Sequence, residues 1–231
     1  MDAPHDASDP AAVQRMFARI APRYDRANDV LSLGLHRAWK RRAVRLAHAR
    51  RGDRALDLAT GTGDLVGPLA RAVGEKGRVV AVDLTIAMLR VARGRLKGPA
   101  WTAADALHLP LRDGSVDAVT MAFGIRNVPD PVACLREIRR VLRVGQRAVV
   151  LEFGQPRGPL GAPFGWYSRA VIPRVGGWLT GDRSAYEYLP RTSAAFPSGK
   201  AFEALVREAG LAPVLTESLL GGVAWLYVAE R

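Results

Sequence analysis

Several kinds of residue are scarce in this chain, and each scarcity removes a class of function. There is one cysteine, Cys134, which excludes a disulfide scaffold and a multi-thiolate metal site. The four histidines, His5, His36, His48 and His108, are scattered, so no zinc site, and no metal site of any kind, is expected. No uninterrupted apolar run reaches the roughly 18 residues that a membrane-spanning helix needs. Residues 1–10 are acidic and carry no apolar stretch; they read as a flexible tail and not as a secretory signal. These absences place the protein in the cytoplasm. Lysine occurs only at positions 40, 76, 97 and 200, so arginine supplies nearly all of the basic charge.

What is present describes one globular unit. The chain has 231 residues, 48% of them hydrophobic and 7% aromatic, enough to bury a single good core and too apolar for bulk disorder. The net charge is +12, from 34 Lys and Arg against 22 Asp and Glu. Such a balance alone is a weak pointer to nucleic acid, and no nucleic-acid partner is expected. The charge is concentrated between Arg37 and Arg54. That segment reads as a helix with Trp39, Ala43, Leu46 and Ala47 on one face and Arg37, Arg41, Arg45 and His48 on the other. It suits transient contact with an anionic membrane surface, or is simply a solvated face.

Hydrophobic periodicity divides the rest. Residues 11–54 read as helical, with breaks near Pro22 and Gly34. Strands are predicted at 54–59, 78–83, 101–104, 116–122 and 148–153, separated by helices at 65–73, 86–96 and 131–142. A Gly- and Pro-rich insertion follows from 154 to about 197 and reads as apolar and irregular. A helix at 199–209 and two strands, 213–218 and 223–228, close the chain. Alternating strands and helices imply an α/β domain with a doubly wound, mostly parallel sheet. Ligands of such sheets bind at the carboxyl ends of the strands, near the switch in strand order.

The first strand ends in Leu56-Asp57-Leu58-Ala59-Thr60-Gly61-Thr62-Gly63-Asp64. Gly61 and Gly63 permit a tight turn and close backbone approach to a ligand. Val66 stands where a dinucleotide fingerprint requires its third glycine, and no Gly-Lys-Ser/Thr follows, which excludes a P-loop. Asp83, twenty residues beyond Gly63 at the end of the second strand, is placed to accept both hydroxyls of a ribose. Asp105 and Ala106, after the third strand, are placed to meet an adenine edge. A nucleoside without pyrophosphate fits best, and S-adenosylmethionine is such a ligand. Asp57 and the turn are then expected to face its amino-acid part.

Four stretches carry a resemblance. Residues 16–25 (MFARIAPRYD) lead into Asn28, Leu31-Ser32-Leu33-Gly34, His36 and Trp39. Phe123-Gly124-Ile125-Arg126-Asn127-Val128 follows the fourth strand. Arg140-Val141-Leu142 leads to Leu151-Glu152-Phe153. Tyr186-Glu187-Tyr188-Leu189, Ser193, Phe196-Pro197 and Gly221-Gly222 complete the set. The chain thus resembles the ubiquinone/menaquinone biosynthesis C-methyltransferases, with departures at Ala27, Ala122, Gln146, Gly154 and Tyr227.

The resemblance implies a Rossmann-like class I S-adenosylmethionine-dependent methyltransferase with seven strands, the last antiparallel. It implies cofactor contacts at Thr62, Asp83, Asp105, Ala106 and Ala122. Residues 11–50 become a helical cap, 51–153 the cofactor-binding half, 154–198 an inserted cap segment and 199–231 the closing helix and strands. The reaction implied is methylation of a ring carbon of a polyprenyl quinol, demethylmenaquinol in the first instance and a ubiquinone-pathway benzoquinol as the alternative. Arg126 is expected to stabilise the quinolate and Asn127 to orient it, a structural salt bridge being the alternative for Arg126. Arginine is a poor base, so a water, His36 or Tyr24 is left to relay the proton. The substrate resides in a bilayer, so contact with the inner face of the membrane is expected; a homodimer is left open.

Overall fold

The computed structural model describes residues 9–231; most of the expected tail lies outside them. Asp9 and Pro10 belong to a helix instead. Asp9 Oδ1 accepts from the N–H groups of Ala11 and Ala12, and Pro10 occupies the first turn, where a missing N–H costs nothing. Helix α1 (Pro10–Ile20) passes through a short 3₁₀ turn into α2 (Tyr24–Ser32). Leu33 and Gly34, both at positive φ, end α2, and α3 (Leu35–Leu46) follows. The breaks fall where Pro22 and Gly34 predict them, but α3 stops at Leu46, short of Arg54.

The sheet begins with β1 (Arg54–Leu58), α4 (Val66–Val73), β2 (Arg78–Asp83), α5 (Ile86–Arg95) and β3 (Ala100–Ala103). It continues through β4 (Val116–Ala122), α6 (Pro131–Val141) and β5 (Leu142–Phe153). The seven strands lie in the order β3-β2-β1-β4-β5-β7-β6, with β6 (Ala212–Leu219) and β7 (Ala224–Glu230) at the far side. β7 pairs antiparallel with both β5 and β6. The chain leaves β1 for β2 on one side and later returns to β4 on the other, so the switch point lies between β1 and β4. Their central residues are almost wholly buried, as a parallel sheet covered on both faces requires.

The insertion is helical, which corrects the expectation of irregular backbone. A 3₁₀ turn leads into α7 (Gly161–Trp166), a π-turn at Tyr167–Val171, α8 (Ile172–Thr180) and α9 (Arg183–Ala195); α10 (Lys200–Glu208) then precedes β6. Pro159 and Pro173 occupy the first turns of helical segments, so these residues mark starts and not interruptions. Asp182 caps α9 through the N–H of Ala185. At Gly176 a side chain would meet the Tyr186 ring at 2.3 Å, so glycine lets α8 and α9 touch. Val13, Met16 and Ile20 of α1 share one apolar cluster with Ala27, Met88, Ile172, Tyr186 and Tyr188. The N-terminal helices and the insertion thereby form one roof over the strand tips.

Candidate active site

At the tip of β1 the chain turns sharply, with Ala59, Gly61 and Gly63 all at positive φ. Across the switch point Phe123, just past β4, also has φ +58°. Two non-glycine residues in the left-handed region at adjacent strand tips mark a place where surrounding structure holds the backbone against its preference. Asp83 fixes the turn. Its Oδ2 accepts from the N–H of Gly61 and its Oδ1 from that of Thr85, each at 2.7 Å. Burial pushes the Asp83 carboxyl above its ordinary value, against these two N–H groups, which favour the anion. Each oxygen keeps a second lone pair for a ligand hydroxyl.

A cavity of about 130 Å³ opens here, lined by Gly61, Asp83, Asp105, Ala106, Ala122 and Asn127, with Tyr24 and Phe17 of the roof above. It carries one carboxylate at the end of β2 and another on the loop after β3. Asp105 also accepts from the N–H of Leu107 at 2.9 Å. Carboxylates with free lone pairs for a ribose and for an exocyclic amine line one cavity, so the residues fit S-adenosylmethionine.

Three predicted contacts do not line this cavity. Asp57 is fully buried beneath the turn, where its oxygens accept from the hydroxyls of Thr60 at 2.5 Å and Thr120 at 2.7 Å. Burial pushes its carboxyl up to about 6. It braces β1 against β4 and has no free face for a ligand ammonium, which corrects the expectation for this residue. Thr62 is buried and donates its hydroxyl to Asp25 of α2, while Arg95 holds the other Asp25 oxygen. Gly63 faces β3, where a side chain would stand 3.2 Å from both Ala92 and Trp101.

A second, larger cavity, about 340 Å³, lies beside the first. Its walls are apolar: Leu31, Trp39, Phe153, Phe164, Tyr167 and Leu189. Tyr24 and Phe123 line both cavities, so the two spaces meet at these rings. Phe123 stacks on Phe153 at 4.2 Å between centroids. Two basic side chains interrupt the apolar wall. His36 is buried, with Nε2 2.9 Å from Asp29 Oδ1. Lys40 is nearly buried, with Nζ 2.7 Å from Asp64 Oδ2.

Arg126 lines neither cavity. Its guanidinium donates to Glu152 Oε1 and to the Phe123 carbonyl, both at 2.7 Å, and both side chains are at most 5% exposed. This is the structural salt bridge, and it corrects the expected contact with a quinolate. The pair lies under the turn that carries Phe123 and holds its shape. Asn127 does face the first cavity, and its Oδ1 accepts from the hydroxyl of Tyr188 on α9 at 3.0 Å.

Sequence reasoning quoted Glu152, Tyr188 and Lys40 without giving them a role. Only Glu152 carried a signal, a carboxylate in the middle of an apolar strand run, where burial demands a partner. Among the described residues no three His, Cys, Asp or Glu side chains cluster as metal ligands, and no helix is long and apolar enough to cross a membrane.

A doubly wound sheet with β7 reversed, a glycine turn after β1 and a carboxylate closing β2 define a Rossmann-like S-adenosylmethionine-dependent methyltransferase. Solved structures share this fold: the methyltransferase of Thermotoga maritima described as a possible histamine N-methyltransferase (TM-score 0.66, 20% identity, 94% of this chain and 98% of that one), and the [4+2]-cyclase SpnF (TM-score 0.69, 15% identity, 100% and 99%). The chain belongs to the ubiE/COQ5 methyltransferase family, which matches residues 5–231. It is 41% identical over 224 residues to the ubiquinone/menaquinone biosynthesis C-methyltransferase UbiE of Bdellovibrio bacteriovorus, covering 94% of this chain and 95% of that protein. It is also 41% identical over 229 residues to the 2-phytyl-1,4-naphtoquinone methyltransferase of Synechococcus elongatus, covering 96% and 97%.

Proposed function

We propose that this methyltransferase transfers a methyl group to a ring carbon of a polyprenyl quinol, and that the ring is the bicyclic one of demethylmenaquinol. The observation that carries the reading is the apolar cavity opening onto the donor cavity at Tyr24 and Phe123. A cleft of that size and polarity suits a flat, greasy acceptor. The similarity to a naphthoquinone methyltransferase is as high as that to the ubiquinone/menaquinone enzyme, which supports the bicyclic ring.

S-adenosylmethionine, when bound, supplies an electrophilic methyl group that needs no metal. Asp83 would hold the ribose and Asp105 with Ala106 the adenine. Tyr24, Phe123 and Asn127 border the space where the two ligands meet, and they align the acceptor ring for in-line transfer. The roof excludes water from that space. The Arg126–Glu152 pair acts from below, by fixing the turn that presents Phe123 and Asn127. The charge near the reacting oxygen then comes from Lys40, whose ammonium lines the acceptor cavity.

The isoprenoid tail leaves through the mouth of this cavity, where Leu33 is 88% and Leu220 56% exposed. Exposed Arg41 and Arg45 lie on α3, the helix that follows this rim. This combination suits shallow docking on an anionic bilayer. Sedimentation with phosphatidylglycerol vesicles should capture the protein, less so as salt rises, and a Leu33→Asp/Leu220→Asp variant should stay in solution. Equal capture of both would remove the proposed contact.

The function is tested with labelled methyl donor and two reduced acceptors, demethylmenaquinol and 2-polyprenyl-6-methoxy-benzoquinol. Label in the first alone supports the bicyclic ring. Label in the second alone transfers the assignment to the ubiquinone pathway, and label in neither sinks the reading.

A further inference from the structure

We propose that His36, oriented by Asp29, is the base that takes the proton from the acceptor hydroxyl; this rests on the quinol reading above. The argument starts from hydrogen-bond valence. Asp29 is clamped by Arg37, whose Nε and Nη2 reach its two oxygens at 2.5 and 2.7 Å. These contacts hold the Asp29 carboxyl well below the usual range, so it is ionised and can only accept. His36 Nε2, 2.9 Å away, must therefore carry the hydrogen of the neutral ring, and Nδ1 must carry the lone pair.

That lone pair has no donor. Nδ1 is buried and makes no hydrogen bond. Asp64 Oδ2 stands 4.0 Å from it, but is itself an acceptor and already bound to Lys40. An acceptor atom left unpaired inside a protein is costly, and His36 lines the acceptor cavity. A hydroxyl bound against the ring, once the wall yields to admit it to the buried Nδ1, is the donor that is missing. The arrangement of carboxylate, imidazole and incoming hydroxyl follows the logic of a base oriented by a third group.

The charged and titratable groups around the ring come from three segments. Asp29 stands on α2, Lys40 and Arg37 on α3, and Asp64 just before α4. Tyr24 and Tyr167 line the same cavity, and the Tyr167 hydroxyl donates to the Leu31 carbonyl. Desolvation and Lys40 push the imidazole below its ordinary value, against Asp29 and Asp64. It is neutral, and competent as a base, at physiological pH.

The step balances. The acceptor O–H bond breaks, its proton passes to Nδ1, and the electron pair stays on oxygen and enriches the adjacent ring carbon. After that carbon has gained its methyl group, its C–H proton passes to water that enters as the roof opens for product release. The ring regains aromaticity, and the oxygen recovers its proton from Nδ1. One proton is released per turnover, with no oxidation or reduction. Lys40 faces the transient phenolate from the same wall.

The test uses the full chain and His36→Gln, with Asp29→Asn as a second variant should His36→Gln fail to fold. The expected loss in kcat for methyl transfer is roughly 10²–10⁴-fold, with S-adenosylmethionine affinity unchanged by calorimetry. The wild-type rate should fall as acid protonates His36, whereas His36→Gln should lose this acid limb. A readout independent of turnover is the absorbance of bound 1-naphthol. The wild type should shift its ionisation to lower pH, and the variant should not. A variant with the wild-type pH profile and naphthol spectrum would overturn the assignment. Wild-type ionisation of naphthol without methylation of either quinol would leave the base standing and remove the quinol reading.

Discussion

The two cavities meet at Tyr24 and Phe123 but are built from different material. The donor cavity has a floor of strand tips beneath α1 and Tyr24. Asp83, Gly61 and Ala122 stand where the sheet ladder and the turn hydrogen bonds put them. The acceptor cavity is made of side chains from five separated stretches: α2 and α3, Phe123 after β4, the β5 end at Phe153, the helices α7 to α9, and Leu220 with Val223. One wall is fixed by backbone and the other by packing. A sheet tip supplies precise polar positions for a ligand shared by a large class, whereas a roof of helices supplies a shape that can be altered without disturbing them.

The strongest way to break this contrast is to remove what lies under both spaces. Glu152→Ala should cost about 3–5 kcal/mol, because it strands the buried Arg126 guanidinium. Chemical denaturation measures it, and an Arg126→Met/Glu152→Leu double variant should recover most of the loss. An unshifted midpoint for Glu152→Ala would mean that the pair is not what holds the turn.

Smaller changes should separate the cavities. Asp83→Ala should weaken S-adenosylmethionine roughly 10–100-fold, the worth of hydrogen bonds to a charged group. The binding of 1-naphthol should not change. Leu189→Ser reverses the pattern: burial of a leucine is worth about 1.5–3 kcal/mol, so quinol KM should rise by about tenfold, with the donor dissociation constant unmoved. A donor effect in the second variant, or an acceptor effect in the first, would show that the walls are not independent.

The smallest expected effect belongs to Asp57. Its folded value, about 6, lies above the ordinary carboxylate value. The folded state therefore binds a proton that the unfolded state releases between about pH 4 and 6, and its stabilising contribution is lost as pH rises through that window. Lowering the pH from 7 to 5 should move the stability difference between wild type and Asp57→Asn by about 1 kcal/mol in favour of wild type. A pH-independent difference would show that Asp57 stays ionised in the fold.

The same contrast explains what the sequence made legible. The alternation of strands and helices, the turn at Gly61 and the carboxylates at positions 83 and 105 are local signals, and the doubly wound sheet follows from their spacing; the reversed last strand comes from the family resemblance. The acceptor side has no such local code. His36 and Asp29 are seven residues apart on different helices, joined across the Leu33–Gly34 reversal, so helical spacing does not pair them. For Arg126 the sequence leaves a quinolate contact and a structural salt bridge both open, because its partner, Glu152, lies 26 residues on in β5. The prolines of the insertion suggested broken backbone because composition does not tell a first-turn proline from an interior one. Pro190 lies deep inside a helix, in α9.

The reversed strand β7 also settles the polarity of the whole molecule. It starts at Ala224 beside Phe153, next to the acceptor mouth, and descends to Glu230 opposite Arg147. Arg231 then ends at the sheet's lower margin, donating to the carbonyls of Arg140 and Leu142. A tether attached to that carboxyl end would hold the enzyme by its base, with the apolar entrance turned outward and unobstructed.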